Sequence, residues 1–175
     1  MKKTIEVLAL CLFFQAAAAA MEITAVDPAA VKGASRADFT FSVLTVNGVV
    51  YEKGAVVMPV TENKGKTYSD IKLLSRALYS KIDACFKAGF VKPGKAPAAP
   101  KFRIEAFKPL KSKVRVANAE ISFDGELLVV AGVMVSSKEP GAFWLAFPGD
   151  LSFPDAAFKS AVESAVIAAW VKKSK

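Results

Sequence analysis

Hydrophobic and polar positions follow one plan twice along the chain. In the first run Phe39, Phe41 and Val43 alternate with Thr40, Ser42 and Leu44, which predicts a strand with one buried face. Further apolar strand patterns and a stripe at helical spacing follow, and the same order returns about 80 residues later. The pattern therefore predicts a tandem duplication of one small unit in which strands precede a helix.

In the first unit, residues 21–26 are a strand candidate, and Asn47-Gly48 favours a tight turn or a bulge. Residues 49–51 and 55–58 predict a hairpin, and residues 61–66 predict a polar loop. Ser69 is a suitable N-cap for a helix that ends near Gly89. The apolar stripe of that helix consists of Ile71, Leu74, Leu78, Ile82 and Cys85.

Residues 91–101 form a Pro- and Ala-rich linker that divides the chain into units 21–90 and 102–175. In the second unit residues 102–107, 116–123, 126–135 and 143–147 predict strands, with a hairpin turn at Asp124-Gly125. Ser152 and Asp155 have the spacing of a capping box. The stripe of the helix that follows is Phe158, Val162, Ala165, Val166 and Ala169, with Trp170 near its edge. The predicted fold class is α+β, each unit being a small antiparallel sheet followed by one packed helix.

The N-terminus changes the expected location of the protein. Lys2 and Lys3, the apolar residues 7–14 and the alanines 16–20 follow the order of a secretory signal peptide. This order predicts cleavage of residues 1–20, export to the periplasm or the extracellular space, and no stable transmembrane anchor after cleavage. Translation from Met21 in the cytoplasm is the alternative.

The composition excludes several kinds of chemistry. The sequence has no histidine, and Cys85 is the sole cysteine after residue 20, so histidine triads and thiolate metal clusters are excluded. The carboxylates are scattered, and no glycine-rich segment matches a phosphate-binding loop. We therefore expect a non-enzymatic protein with no catalytic residues, no metal and no cofactor.

The net charge of +8 is concentrated in residues 92–115, which carry eight cations and one anion, Glu105. Such a segment is typical of a polyanion site, and it is also typical of a solvated linker. Phe102 and Phe107 within it favour core packing over stacking on bases. Phe143, Trp144, Phe147 and Phe153 likewise favour core packing over a ligand-binding aromatic patch.

The first unit resembles the stage V sporulation protein G family, the SpoVG septation regulators of bacteria. The resemblance rests on the residues Met58-Pro59, Gly65, Tyr68 and Asp70-Ile71, and on the opening Met21-Glu22-Ile23-Thr24. The second unit resembles the family through residues 116–123, Gly132-Val133 and Phe147-Pro148. Together these motifs extend over nearly all of residues 21–170.

The resemblance implies a sheet-plus-helix domain that pairs as a homodimer, and a nucleic-acid-binding regulator linked to septation or sporulation. Two units in one chain would then pair as an intramolecular pseudo-dimer. The family's basic loop after Met-Pro keeps only Lys64 and Lys66 here, and the second unit has no basic residue at that place. The candidate polyanion-binding residues are Lys64, Lys66, Lys72, Arg76, Lys101, Arg103, Lys108, Lys111, Lys113 and Arg115.

Two functions therefore stay open at the level of sequence. The first is a SpoVG-like protein that binds nucleic acid or another polyanion through a basic surface. The second is an exported envelope protein that acts as a structural or protein-interaction module, through a protein partner or self-association, after loss of the nucleic-acid site.

Overall fold

The computed structural model describes residues 21–27, 33, 35–95 and 97–174. The predicted signal peptide lies outside the described residues. The fold is α+β, with antiparallel sheets and two helices, as the sequence pattern predicts. In chain order the elements are β1 (Ala25–Asp27), β2 (Arg36–Phe41), β3 (Leu44–Glu52), β4 (Ala55–Val57), β5 (Thr61–Asn63), β6 (Lys66–Tyr68), β7 (Ile71–Leu73), α1 (Arg76–Ala88), β8 (Phe102–Pro109), β9 (Arg115–Phe123), β10 (Leu127–Val135), β11 (Phe143–Ala146), β12 (Leu151–Ser152) and α2 (Ala156–Lys173).

Each half of the chain contributes one strand to the sheet of the other half. The first sheet has the order β1-β2-β3-β12, with β4 also paired to β3, and the second has the order β11-β10-β9-β8, with β7 paired to β10. The two exchanged strands, β12 in the first sheet and β7 in the second, are joined to their new sheets by equivalent backbone hydrogen bonds. Asn47 N–H donates to the Asp150 carbonyl at 2.8 Å, and Val130 N–H donates to the Asp70 carbonyl at 2.7 Å. Neither main sheet is complete without residues from both sides of the linker.

A helix packs against each sheet through aromatic contacts. In the first half Phe86 of α1 lies 5.4 Å from Phe39 between ring centroids. In the second half Trp170 of α2 contacts Phe107 at 5.5 Å and Phe143 at 6.5 Å. Large aromatic residues supply much of the burial free energy of a core, so these contacts fix the helices on their sheets.

The predicted core role of the two phenylalanines in the basic segment is confirmed. Phe102 contacts Phe158 with a centroid distance of 6.1 Å, and Phe107 contacts Trp170. Cys85 is buried as well, and its burial raises the pKa of the thiol. The cysteine therefore acts as packing, as its position on the apolar stripe predicts.

The start of the first helix is predicted wrongly from the sequence. Ser69 is not the N-cap; the cap is Ser75, whose Oγ accepts a hydrogen bond from Leu78 N–H at 3.2 Å. Ile71 belongs to strand β7 and Leu74 is exposed, so neither is part of the helical stripe. Strand pairing prevails here because β10 would otherwise leave unpaired backbone groups along an edge.

Three smaller expectations also need correction. The turn between β2 and β3 lies at Ser42 and Val43, where a continuous strand was predicted, and Ser42 takes a positive φ of 59°. The predicted polar loop 61–66 is a hairpin formed by β5 and β6. The second helix is capped by Asp155 itself, Ser152 lies in β12, and Trp170 is buried within the stripe.

Gly48 is expected to be intolerant of a side chain. It sits at the predicted bulge in β3 with φ of +72°, and a Cβ there would meet the guanidinium of Arg36. Gly48→Ala should therefore lower the free energy of unfolding by about 1–3 kcal/mol, measured by urea denaturation. Gly94→Ala is the matched control, because an added Cβ at Gly94 meets nothing within 4 Å. Equal effects of the two substitutions would contradict the prediction.

Candidate polyanion site

On the outer face of the second sheet, two of the predicted polyanion-binding residues, which are far apart in the sequence, lie in one cross-strand row. Lys72 of β7 pairs with Leu128, Leu128 with Ser122, and Ser122 with Arg103. Directly paired residues project from the same face, and neighbouring strands lie about 4.8 Å apart, so the row spans about 14 Å. Exchange of β7 into the second sheet is what places Lys72 on the same face as Arg103.

Two cations of this face are already paired with carboxylates. Arg103 forms a salt bridge with Glu105 at 2.8 Å, and Lys108 is bonded to Glu120. Hydrogen bonding from the Ser122 hydroxyl and then from Arg103 holds the pKa of Glu105 below its usual range. Glu105 is therefore ionised at neutral pH and offsets the charge of Arg103. A polyanion would have to compete with these pairs.

Unlike Arg103 and Lys108, Arg115 has no carboxylate partner among the described residues. Its side chain lies over the backbone of Gly132. A Cβ placed on Gly132 would be 2.7 Å from Arg115 Nε, and Asn118 is the cross-strand partner of the same glycine. Arg115 Nε and Asn118 Oδ1 are both buried and have no hydrogen-bond partner among the described residues. Most buried polar atoms have partners, so these two are exceptions, and because both are buried a ligand would meet the exposed lysines near Arg115 along the chain first.

Other suitable side chains lie near Arg115 along the chain and across the sheet. Lys111 and Lys113 are exposed in the turn between β8 and β9, directly before Arg115. Trp144, which is 51% exposed, pairs with Met134 across the strands, and Met134 pairs with Arg115. We call Lys111, Lys113, Arg115, Asn118 and Trp144 the Arg115 cluster. It combines fixed and flexible cations, an amide and an exposed aromatic ring.

The remaining predicted cations lie on other elements. Lys64 and Lys66 occupy the β5–β6 hairpin, Arg76 is the first residue of α1, and Lys101 directly precedes β8. All four are exposed. None of the hydrogen bonds and salt bridges of the described chain joins their side chains to the Arg115 cluster.

A shallow cavity of about 320 Å³ lies between β11 and α2 beside Trp144. It is lined by Phe143, Trp144, Leu145, Glu163, Ser164 and Ile167. Its one carboxylate, Glu163, lies 3.7 Å from Lys159. Within the described ranges no group of three or more His, Cys, Asp or Glu side chains could hold a metal ion.

Comparisons with protein-family models, curated proteins and solved structures find no match to this chain. Among the described helices none is long and apolar enough to cross a membrane.

Sequence reasoning missed Asn118 and the exposure of Trp144. Phe147 and Phe153 contact one another at 4.7 Å as predicted for core residues, whereas Trp144 of the same aromatic group faces outward. The available signal was Gly132, since a glycine inside a strand often marks a place that another group approaches closely. Which group approaches it depends on strand register and so is not readable from local sequence.

Proposed function

We propose that the chain is a non-enzymatic SpoVG-like protein that binds nucleic acid or another polyanion at the Arg115 cluster. The observation that carries this proposal is the group of cations Lys111, Lys113 and Arg115 at the β8–β9 turn, none of which forms a salt bridge among the described residues. A phosphate oxygen can accept charge-assisted hydrogen bonds from exposed lysine ammonium groups of this kind.

The distribution of charge supports the same site. The protein is basic overall, and Arg103 and Lys108 are matched by carboxylates, so Lys111, Lys113 and Arg115 carry the excess charge at this end of the sheet. Phosphate contacts of this kind bind without regard to sequence. Trp144 adds an aromatic face on which an unpaired base can stack, which favours a single-stranded ligand.

We further propose that the two halves are copies of one unit that pair within the chain, in place of the homodimer that the resemblance implies. Support comes from the reciprocal position of β7 and β12 and from their matching hydrogen bonds to β10 and β3. A role in septation or sporulation is part of the same proposal and rests on the resemblance alone. Light scattering that showed a dominant dimer of the purified protein would count against internal pairing being sufficient.

Charge reversal of the β8–β9 turn is expected to weaken polyanion binding. The Lys111→Glu/Lys113→Glu variant should lose at least about tenfold in affinity for a short labelled single-stranded DNA, because two cations near the phosphates become anions. Wild-type binding should also weaken by about tenfold between about 50 mM and about 200 mM salt, and the slope should be shallower in the variant. Fluorescence anisotropy measures both effects.

Lys92→Glu/Lys95→Glu is the matched control, because it changes the net charge equally at two exposed positions of the linker. An equal loss in both double variants would assign binding to overall charge. Binding that is unaffected by salt would contradict the proposal itself.

A second candidate function is favoured by the apolar residues near the same turn. Val114 is 62% exposed, and Leu110 and Trp144 are exposed as well. Together they suit an exported module that binds a protein partner. Cell fractionation separates the two: a periplasmic or extracellular protein supports the second function, and a cytoplasmic protein that starts at Met21 supports the first.

A further inference from the structure

Met21 is fixed at a buried junction between the two halves of the chain. The residue is only 3% exposed, and its backbone nitrogen donates a hydrogen bond to Glu126 Oε2 at 2.5 Å. Its carbonyl accepts from Lys81 Nζ at 2.9 Å, and the same Nζ lies 2.8 Å from Glu22 Oε1. The backbone nitrogen, the side chain and the carbonyl of Met21 are thus all held in place.

Glu126 lacks a cationic partner in this arrangement. It is 9% exposed, and its other oxygen accepts a hydrogen bond from Ser75 Oγ at 2.7 Å. A hydroxyl and a peptide N–H are neutral donors, and no salt bridge to Glu126 occurs among the described residues. Ser75 caps α1, so the helix N-terminus adds only a partial positive charge. A buried carboxylate is costly without a full opposite charge.

We propose that Met21 is the N-terminal residue of the functional protein and that its α-ammonium forms a buried ion pair with Glu126. The nitrogen already lies where that charge is needed. Hydrolysis of the peptide bond after Ala20 by a signal peptidase consumes one water and leaves a carboxylate on Ala20 and the α-ammonium on Met21. Ala18 and Ala20 are the small residues that such an enzyme requires. Translation from Met21 produces the same group.

The ion pair would tie processing to assembly of the two halves. Met21 opens the first half, whereas Glu126 follows the β9–β10 turn of the second. Lys81 and Glu22 are the other charged groups bonded at this position, and they pair with each other. The charge of the α-ammonium is therefore available to Glu126. A precursor with a peptide bond at this nitrogen lacks that charge.

The first test is the N-terminus of protein purified after expression of the full-length gene. Intact mass and N-terminal sequencing should give one species that begins at Met21 with an unmodified α-amine. A chain that keeps residues 1–20, begins at another residue or carries an acetylated amine would overturn the proposal.

The second test is the pKa of that amine, followed by NMR titration of the same protein with isotope-labelled methionine. Glu126 should raise the pKa by at least about one unit above the usual range of about 7.7–8.0, whereas burial alone would lower it. Glu126→Gln should remove the increase, and Glu120→Gln, whose carboxylate bonds Lys108, should preserve it. If Glu126→Gln does not fold, the wild-type value decides, and a pKa at or below the usual range would refute the ion pair.

Discussion

Trp170→Ala is expected to lower the free energy of unfolding by about 3–5 kcal/mol, because it empties the space between α2 and the second sheet. Trp170 is buried and contacts both Phe107 and Phe143, which lie on opposite edge strands of that sheet. Among the described residues, Trp170 is the only aromatic residue of α2 whose ring contacts those of Phe107 and Phe143. Urea denaturation followed by far-UV circular dichroism measures the effect without relying on the removed fluorophore.

Trp170→Phe is the matched variant that separates packing from polarity. The indole N–H is buried and has no hydrogen-bond partner among the described residues, so phenylalanine removes an unsatisfied donor while keeping most of the ring contacts. We expect a loss of less than about 1.5 kcal/mol. A loss as large as that of the alanine variant would contradict this prediction.

Phe39→Ala should also lower the free energy of unfolding by about 3–5 kcal/mol. We expect both halves of the chain to be destabilised together, in one unfolding transition. Phe39 is fully buried in the first sheet, whereas Trp144 and Trp170, the two tryptophans of the sequence, both lie in the second half. Because β7 and β12 cross between the sheets, we expect tryptophan fluorescence and circular dichroism to report one shifted transition.

Val91→Ala is the control for this measurement, because Val91 is almost entirely exposed and its truncation should change stability by less than about 0.5 kcal/mol. If the fluorescence transition of Phe39→Ala stayed at the wild-type position while circular dichroism shifted, the halves would unfold separately. That result would contradict the interlocked arrangement of the sheets.

Local pattern was sufficient for most elements of the fold. The hairpin at Asp124-Gly125, the long apolar strand after it and the end of α1 at Gly89 were predictable, because turn chemistry and periodicity act within a few neighbouring residues. The sequence pattern places residue 71 in a helix, which is wrong, because the strand at residues 71–73 depends on pairing with a distant part of the chain. Ile71 fits a helical stripe locally, and only the free edge of β10, far along the sequence, makes it a strand.

The candidate site, too, was predictable from the sequence only in part. The cations between residues 92 and 115 were visible in the sequence, but the neutralisation of Lys108 was not. Glu105 lies only two residues from Arg103 on the same strand, whereas Glu120 comes beside Lys108 only through the pairing of β8 with β9. The position of Arg115 over Gly132 depends on the bulge at Val116 of β9, opposite Val133 and Met134 of β10, which no local pattern specifies.

The linker at residues 91–101 joins halves that the exchanged strands already hold together. A protease that cut the linker at its exposed residues 91 and 92 would leave β7 in the second sheet and β12 in the first, so the two fragments should remain associated. A chain that stopped in the linker would instead lack β12 and leave the edge of β3 uncovered. Uncovered edges pair with other chains, so premature termination would produce an aggregating fragment and not a smaller working protein.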